Sequence, residues 1–232
     1  MTKRWLVAAA LAMVTSAHAA EGGRFEGKIA VEWLDDPFVP SMRLIESFAY
    51  TEAAGKRWSA PRGQLLDGKG LPPLFRTLIG QPFEAGFRKS MVVYDAAVHQ
   101  MAEPWDAAQR MFYEASLAEG VFPADAKAMY AVLAAQGSRW EVKGSHCFGS
   151  CHGSTVPLEW RPVVDEGKVS ELVAWVRATD PTIEEIDKRA KTTVKAQGPH
   201  IFEQPPCEGM YSGSTRVRNK CIVTNASESS SR

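Results

Sequence analysis

The sequence predicts an α+β protein: a small antiparallel β-meander followed by a helical cluster, with an irregular, disulfide-stapled C-terminal extension. Three observations predict this class. Apolar and polar residues alternate between residues 29 and 58, apolar residues recur at helical spacing between residues 72 and 137, and all four cysteines follow residue 146. Strands followed by a run of helices are typical of α+β folds.

The meander consists of three predicted strands. The first covers residues 29–34 and ends at Asp35-Asp36-Pro37, the second covers residues 42–50, and a short third strand lies around Trp58. Alternation with a period of two gives such strands one buried face.

Four helices are predicted next, most of them bounded by prolines or glycines. They cover residues 74–79, 84–101, 104–120 and 123–137. In the second helix, apolar residues recur at four- and three-residue steps and form one stripe that includes Tyr94. We therefore expect Tyr94 to point into the core.

The rest of the chain is less regular. Residues 138–165 show no periodicity, whereas residues 169–176 and 183–194 predict two helices, the second charged nearly all round and expected to be a solvated spacer. Because cysteines occur only in this part, we divide the mature chain into an α+β domain at residues 25–140 and a cysteine-containing helical and irregular extension at residues 141–232.

The N-terminus has the pattern of a cleavable signal peptide. Lys3 and Arg4 precede an unbroken apolar run over residues 6–14, and Ala17-His18-Ala19 gives the small-x-small pattern that signal peptidases cut. The run has roughly half of the ~20 residues that a spanning helix needs. We expect residues 1–19 to be removed and the mature chain to be periplasmic or secreted, without a transmembrane segment.

The charge balance disfavours one class of partner. Removal of residues 1–19 takes away two cations and no acids, so 27 basic and 27 acidic residues become 25 and 27, a net charge of −2. A near-neutral chain without a basic run lacks the electrostatic footprint of a nucleic-acid-binding protein. The expected partner is instead an unidentified component of the cell envelope.

Several local patterns between residues 25 and 140 occur in the same order as in a known family. They include Phe25-Glu26-Gly27, Met42-Arg43-Leu44, Phe48-Ala49-Tyr50, Trp58-Ser59-Ala60-Pro61, Leu78-Ile79-Gly80, Val92-Val93-Tyr94-Asp95 and Phe112-Tyr113-Glu114-Ala115. In these patterns the chain resembles the bacterial and phage family called domain of unknown function 1353. The resemblance also implies a phage-related protein.

The resemblance implies a polar cluster built from Asp-Gly-Ala-Ser before a proline, His-Asp on the second helix and Ala-Asp on the third. A histidine beside carboxylates can bind a metal or act in acid–base catalysis. In this chain Asp67 and Asp95 remain, whereas Gly70, Tyr94 and Gln109 occupy the serine, histidine and third-helix acid positions. The chain therefore lacks the histidine, which would be the best base of the implied cluster, and it lacks one of the acidic residues that could bind a metal.

His99 is a possible replacement for the missing base. It follows Asp95 by four residues and so shares its helical face. Asp67, Asp95 and His99 are thus candidate catalytic residues of a hydrolase, and a surface hydrogen bond between Asp95 and His99 is the alternative. We expect the two aspartates to be neighbours and His99 to face solvent, which leaves open whether the protein is an enzyme.

Residues 146–152 read His-Cys-Phe-Gly-Ser-Cys-His and allow three fates for the thiols. Cys147, Cys151 and His152 resemble a c-type haem motif but have three intervening residues rather than two. Zinc is a second alternative, although adjacent ligands rarely converge on one tetrahedral ion. An oxidising compartment favours disulfides.

We accordingly predict two disulfides and no cofactor, with haem c as the alternative. They join Cys147, Cys151, Cys207 and Cys221, and we favour the crossed pairing because the longer loops stabilise more. The function predicted from the sequence is that of an exported envelope or periplasmic accessory protein, with a binding or scaffold role. The alternatives are a hydrolase with an Asp/His site and a c-type haem or redox protein.

Overall fold

A computed structural model describes residues 22–35, 41–83, 86–143 and 156–196. The predicted signal peptide at residues 1–19 and all four cysteines lie outside the described residues, and so do the predicted disulfides and the zinc and haem alternatives. Within the described residues, no helix is both long and apolar enough to cross a membrane.

Six strands come first and form two small antiparallel sheets. They are β1 (Arg24–Glu26), β2 (Val31–Leu34), β3 (Ser41–Leu44), β4 (Phe48–Thr51), β5 (Arg57–Ala60) and β6 (Leu65–Leu66). One sheet has the order β1-β4-β5 and the other β2-β3-β6. The predicted strand at residues 42–50 is therefore two strands, because the chain passes from one sheet to the other at the exposed residues 45–47.

Four helices follow the sheets, close to the positions that the sequence predicts. They are α1 (Pro73–Leu78), α2 (Arg88–Gln100), α3 (Trp105–Glu119) and α4 (Pro123–Gln136). Helix α2 begins at Arg88 because the Glu119 carboxylate accepts the N–H groups of Lys89 (2.8 Å) and Ser90 (2.9 Å), which lie in its first turn. Tyr94 is fully buried, as its place on the apolar stripe predicts.

The C-terminal part adds a hairpin and two more helices. It consists of β7 (Arg139–Lys143), β8 (Val156–Trp160), β9 (Val163–Val164), α5 (Glu166–Thr179), α6 (Ile183–Ala190) and β10 (Val194–Ala196). Strands β7 and β8 pair antiparallel, and so do β9 and β10. The absence of periodicity over residues 138–165 thus failed to predict the strands β7, β8 and β9. The described residues form an α+β fold with six α-helices.

Helix α6 is not the solvated spacer that its charge pattern predicts. Ile186 and Ala190 are buried, and the Asp187 carboxylate accepts hydrogen bonds from Tyr130 Oη and Arg110 Nη2, each at 2.6 Å. Helices α5 and α6 pack against α4, so α4 is buried along most of its length. One hydrophobic core thus joins residues from both sides of residue 140, and the division into two domains there remains a prediction.

Candidate functional site

The candidate site is the loop of residues 67–71, which connects β6 to α1 and lies against α2. Asp95, in the middle of α2, is fully buried beneath this loop. Its Oδ2 accepts the backbone N–H groups of Asp67 (3.0 Å) and Gly68 (3.2 Å), and its Oδ1 accepts that of Gly70 (3.2 Å). Asp95 therefore fixes the loop on the helix through three backbone amides.

Burial dominates the electrostatics of Asp95. Burial is the largest cause and repulsion by the Asp67 carboxylate the second, and together they raise the pKa of Asp95 to about 6. The hydrogen bonds from the backbone amides lower this pKa but do not compensate for the two effects. Its carboxyl group is therefore harder to ionise in the folded protein than in an unfolded chain.

Asp67 and His99 form the more accessible half of the site. Asp67 Oδ1 accepts the N–H of Lys69 at 2.8 Å and lies 3.1 Å from His99 Nε2, and the two side chains are 19% and 20% exposed. Burial alone would raise the pKa of Asp67, but the hydrogen bonds from His99 and Lys69 outweigh it and lower that pKa. The hydrogen bond to Asp67 likewise raises the pKa of His99.

His99 does not face solvent freely, since its side chain is only 20% exposed, and its hydrogen-bond partner is Asp67 rather than Asp95. Spacing along one helix brings His99 near Asp95, but Asp95 is already directed at the loop amides. The loop itself places Asp67 beside the imidazole. The predicted proximity of the two aspartates is present, and ligand atoms of Asp67, Asp95 and His99 all lie within 4.8 Å of one another.

A second set of contacts holds the loop from the side of β8. The guanidinium of Arg161 donates to the backbone carbonyls of Lys69 and Leu71 (3.3 Å for the latter) and to Ser138 Oγ (3.2 Å). Lys69 Nζ also pairs with the Glu159 carboxylate at 2.7 Å. Sequence reasoning missed Arg161 and Glu159, because no local spacing relates them to a loop some 90 residues earlier.

The three positions at which the chain departs from the family pattern also lie together. Tyr94 Oη lies 3.5 Å from the Gly70 carbonyl oxygen, and the buried side chain of Gln109 lies near the Tyr94 hydroxyl and donates to the Ser138 carbonyl oxygen at 3.4 Å. A Cβ atom at Gly70 would lie only 2.9 Å from Tyr94 Cε1 and 3.0 Å from Val98 Cγ2. The tyrosine ring thus fills the space that a serine side chain would need.

A shallow depression lies along a different face of α2. Its lining includes Trp58, Val93, Ala97 and Gln100 but none of Asp67, Asp95 and His99. The candidate residues therefore lie elsewhere, and the carboxylate that does line the depression, Glu103, pairs with Lys56 at 2.7 Å.

Residues 42–133 match the model of the family described as "Protein of unknown function (DUF1353)", which confirms the resemblance that the sequence patterns predict. The chain is 32% identical over 131 residues to "Uncharacterized protein y4jT" of Sinorhizobium fredii (strain NBRC 101917 / NGR234), which is 56% of this chain and 39% of that protein. It is 30% identical over 117 residues to "Uncharacterized protein y4iH" of the same strain, 49% of each.

The chain thus spans about two fifths to one half of the length of these relatives. No solved structure matches it. Asp67, Asp95 and His99 lie within the matched segment, whereas Glu159 and Arg161 lie beyond it. The phage-related role that the resemblance implies remains a prediction.

Proposed function

We propose that this chain is an exported accessory protein of the cell envelope, in which the α+β domain binds or holds a partner rather than catalysing hydrolysis. The observation that carries the proposal is the identity of the three neighbouring residues Gly70, Tyr94 and Gln109, which occupy the positions of a serine, a histidine and an acid in the pattern that the resemblance implies. A serine, a histidine and a carboxylate in mutual contact can activate a hydroxyl nucleophile. Glycine, a buried tyrosine and glutamine cannot, because they supply neither the nucleophile nor a base.

The use of Asp95 supports the same conclusion. Both of its oxygens accept backbone N–H groups, and its side chain is fully buried. A general base must reach the proton that it removes, at hydrogen-bond distance or through one water molecule. Asp95 is better placed to fix the loop than to contact a substrate.

Export is supported by the N-terminal sequence. The basic residues Lys3 and Arg4, the apolar run over residues 6–14 and the Ala17-x-Ala19 pattern are the three parts of a signal peptide in their proper order. A protein placed outside the cytoplasm would meet envelope components first, which is why we assign it a partner there.

Cell fractionation combined with intact-mass measurement tests the export. We expect the native protein to lack residues 1–19 and to occur in the periplasmic or extracellular fraction. A Leu11→Arg variant, with a charge inside the apolar run, should keep these residues and stay in the cytoplasm. Native protein that still carries Met1 would contradict the proposal.

A hydrolase that uses Asp67 and His99 is the second candidate, because these side chains are 3.1 Å apart and partly exposed. A carboxylate can orient an imidazole for base catalysis at this distance. Hydrolysis of nitrophenyl esters, phosphates and glycosides would be measured for the wild type, His99→Ala and the exposed control Asp106→Asn. We expect no turnover above background; turnover that only His99→Ala abolishes would favour the hydrolase and contradict the accessory role.

A further inference from the structure

We propose that Asp67, Asp95 and His99 form a binding site for one divalent metal ion of the first transition row, such as Mn²⁺, Co²⁺ or Zn²⁺. The inference goes beyond the accessory role, which needs no metal, so its failure would leave that role untouched. It rests on donor chemistry, geometry and the charges around the site.

The donor set suits such an ion. One imidazole nitrogen and two carboxylate groups are within reach of a common point. Imidazole is a ligand for zinc and its neighbours, whereas calcium and magnesium prefer sites made entirely of oxygen atoms. Three protein ligands also leave room for water or a partner's ligand, as at open zinc sites.

Two of the donors are already at the right separation. His99 Nε2 and Asp67 Oδ1 are 3.1 Å apart, and two donors on one ion with bonds of about 2.1 Å lie roughly 3.0–3.4 Å apart, depending on the coordination geometry. The largest separation in the cluster is up to 4.8 Å. Asp67 and His99, which are partly exposed, would have to move toward Asp95 by roughly 1–2 Å to bring all three donors to bonding distance.

The outer contacts of the cluster orient two of its three ligands before any ion binds. Three backbone amides fix the orientation of the Asp95 carboxylate, and the Lys69 N–H fixes that of Asp67. Hydrogen bonds of this kind orient metal ligands in known sites. Asp95 Oδ1 accepts a single amide and so keeps a lone pair for an ion.

No lysine or arginine side chain among the described residues pairs directly with either carboxylate of the cluster. Within the described part of the chain, Lys69 Nζ pairs with Glu159 and the Arg161 guanidinium donates to carbonyl and hydroxyl oxygens. Among the described residues, the imidazole of His99 alone makes a side-chain hydrogen bond to an aspartate of the cluster. Two carboxylates in close contact repel each other, so a cation between them is favourable.

Mn²⁺ is the most selective probe, because it prefers oxygen ligands such as the two carboxylates and binds weakly to the thiolates that the cysteines could offer. The full mature chain, stripped of metal by a chelator, would be titrated with Mn²⁺, and the loss of the free-ion paramagnetic resonance signal would be recorded. We expect one ion per chain that Zn²⁺ displaces. His99→Ala and Asp67→Asn should each weaken binding by about 100-fold, since loss of even an outer contact costs roughly 10–100-fold.

Asp106→Asn is the control, because Asp106 is exposed and lies outside the cluster. It should bind Mn²⁺ as the wild type does. Circular dichroism would establish that each variant is folded, and His99→Gln would replace His99→Ala if the latter is not. Wild-type protein that binds no Mn²⁺, or binding that the substitutions at positions 67 and 99 leave unchanged, would overturn the proposal.

Discussion

Replacement of Asp95 by asparagine should give a destabilisation that depends strongly on pH. Asparagine has the same shape but a single acceptor oxygen, so it can serve Asp67 and Gly68 on one side and must then turn its amino group toward the Gly70 N–H. One buried amide would lose its acceptor, which costs about 1–3 kcal/mol.

The loss of the negative charge acts in the opposite direction. Because the pKa of Asp95 is raised from 3.8 to about 6, the unfolded chain releases this proton first as the pH rises. The wild type therefore loses stability between about pH 4 and pH 6, by roughly 3 kcal/mol for a shift of about 2 units. The variant has no proton to lose and escapes this penalty.

The two effects together predict that Asp95→Asn is less stable than the wild type by about 1–3 kcal/mol at pH 4, and equally stable or up to about 2 kcal/mol more stable at pH 7. Urea unfolding of the mature chain at both pH values measures this, with Asp106→Asn as the exposed control expected to stay within about 1 kcal/mol, since Asp106 lies in the first turn of α3. A variant less stable than the wild type by more than about 1 kcal/mol at pH 7 would refute the reasoning, because the amides would then stabilise the carboxylate more than burial opposes it.

Three further predictions concern the loop, its acid–base pair and the thiols. Arg161→Leu should lower the free energy of unfolding by about 1–3 kcal/mol, because two loop carbonyls lose a charged donor. The control Arg43→Leu, which removes an exposed pair with Glu32, should lower it by less than about 1 kcal/mol. Equal effects of the two substitutions in urea unfolding would contradict the role of Arg161. The raised pKa of His99 gives stability that is present below pH 6.5 and is lost as the pH rises through the folded pKa, whereas the lowered pKa of Asp67 gives stability that is present above pH 3.8 and is lost as the pH falls through its folded pKa. His99→Ala should therefore be most destabilising between about pH 4 and 6.5. A constant difference in stability from the wild type across pH 4–8 would count against the pair. All four thiols should resist alkylation until they are reduced, without a Soret band in the denatured protein, and free thiols or a retained Soret band would refute the predicted disulfides.

Local patterns were sufficient for the parts of the structure that depend on neighbours in sequence. The apolar stripe on α2 predicted that Tyr94 is buried, and the family pattern predicted that Asp67 and Asp95 are close. The partner of His99 could not be predicted in the same way. The four-residue rule considers only the helix, whereas a loop 32 residues earlier supplies the true partner.

The β7–β8 hairpin escaped detection for a related reason. Arg139 reads as a surface residue but is buried, with its guanidinium 4.7 Å from the Trp105 ring centre and a hydrogen bond to the Ala134 carbonyl. Pro157 lies within the partner strand, where the sequence argues against regular pairing. Tertiary contacts of this kind override local propensity, and they also bring Arg161 to the candidate site.

Both the metal site and the hydrolase alternative depend on the contact between Asp67 and His99. Its most direct test is an NMR titration of the His99 imidazole in the metal-free mature chain, with Asp67→Asn beside it. We expect the pKa of His99 to lie above the ordinary value of 6.5 in the wild type and to fall when Asp67 loses its charge. A wild-type value at or below 6.5 that Asp67→Asn leaves unchanged would show that the two side chains are not in contact.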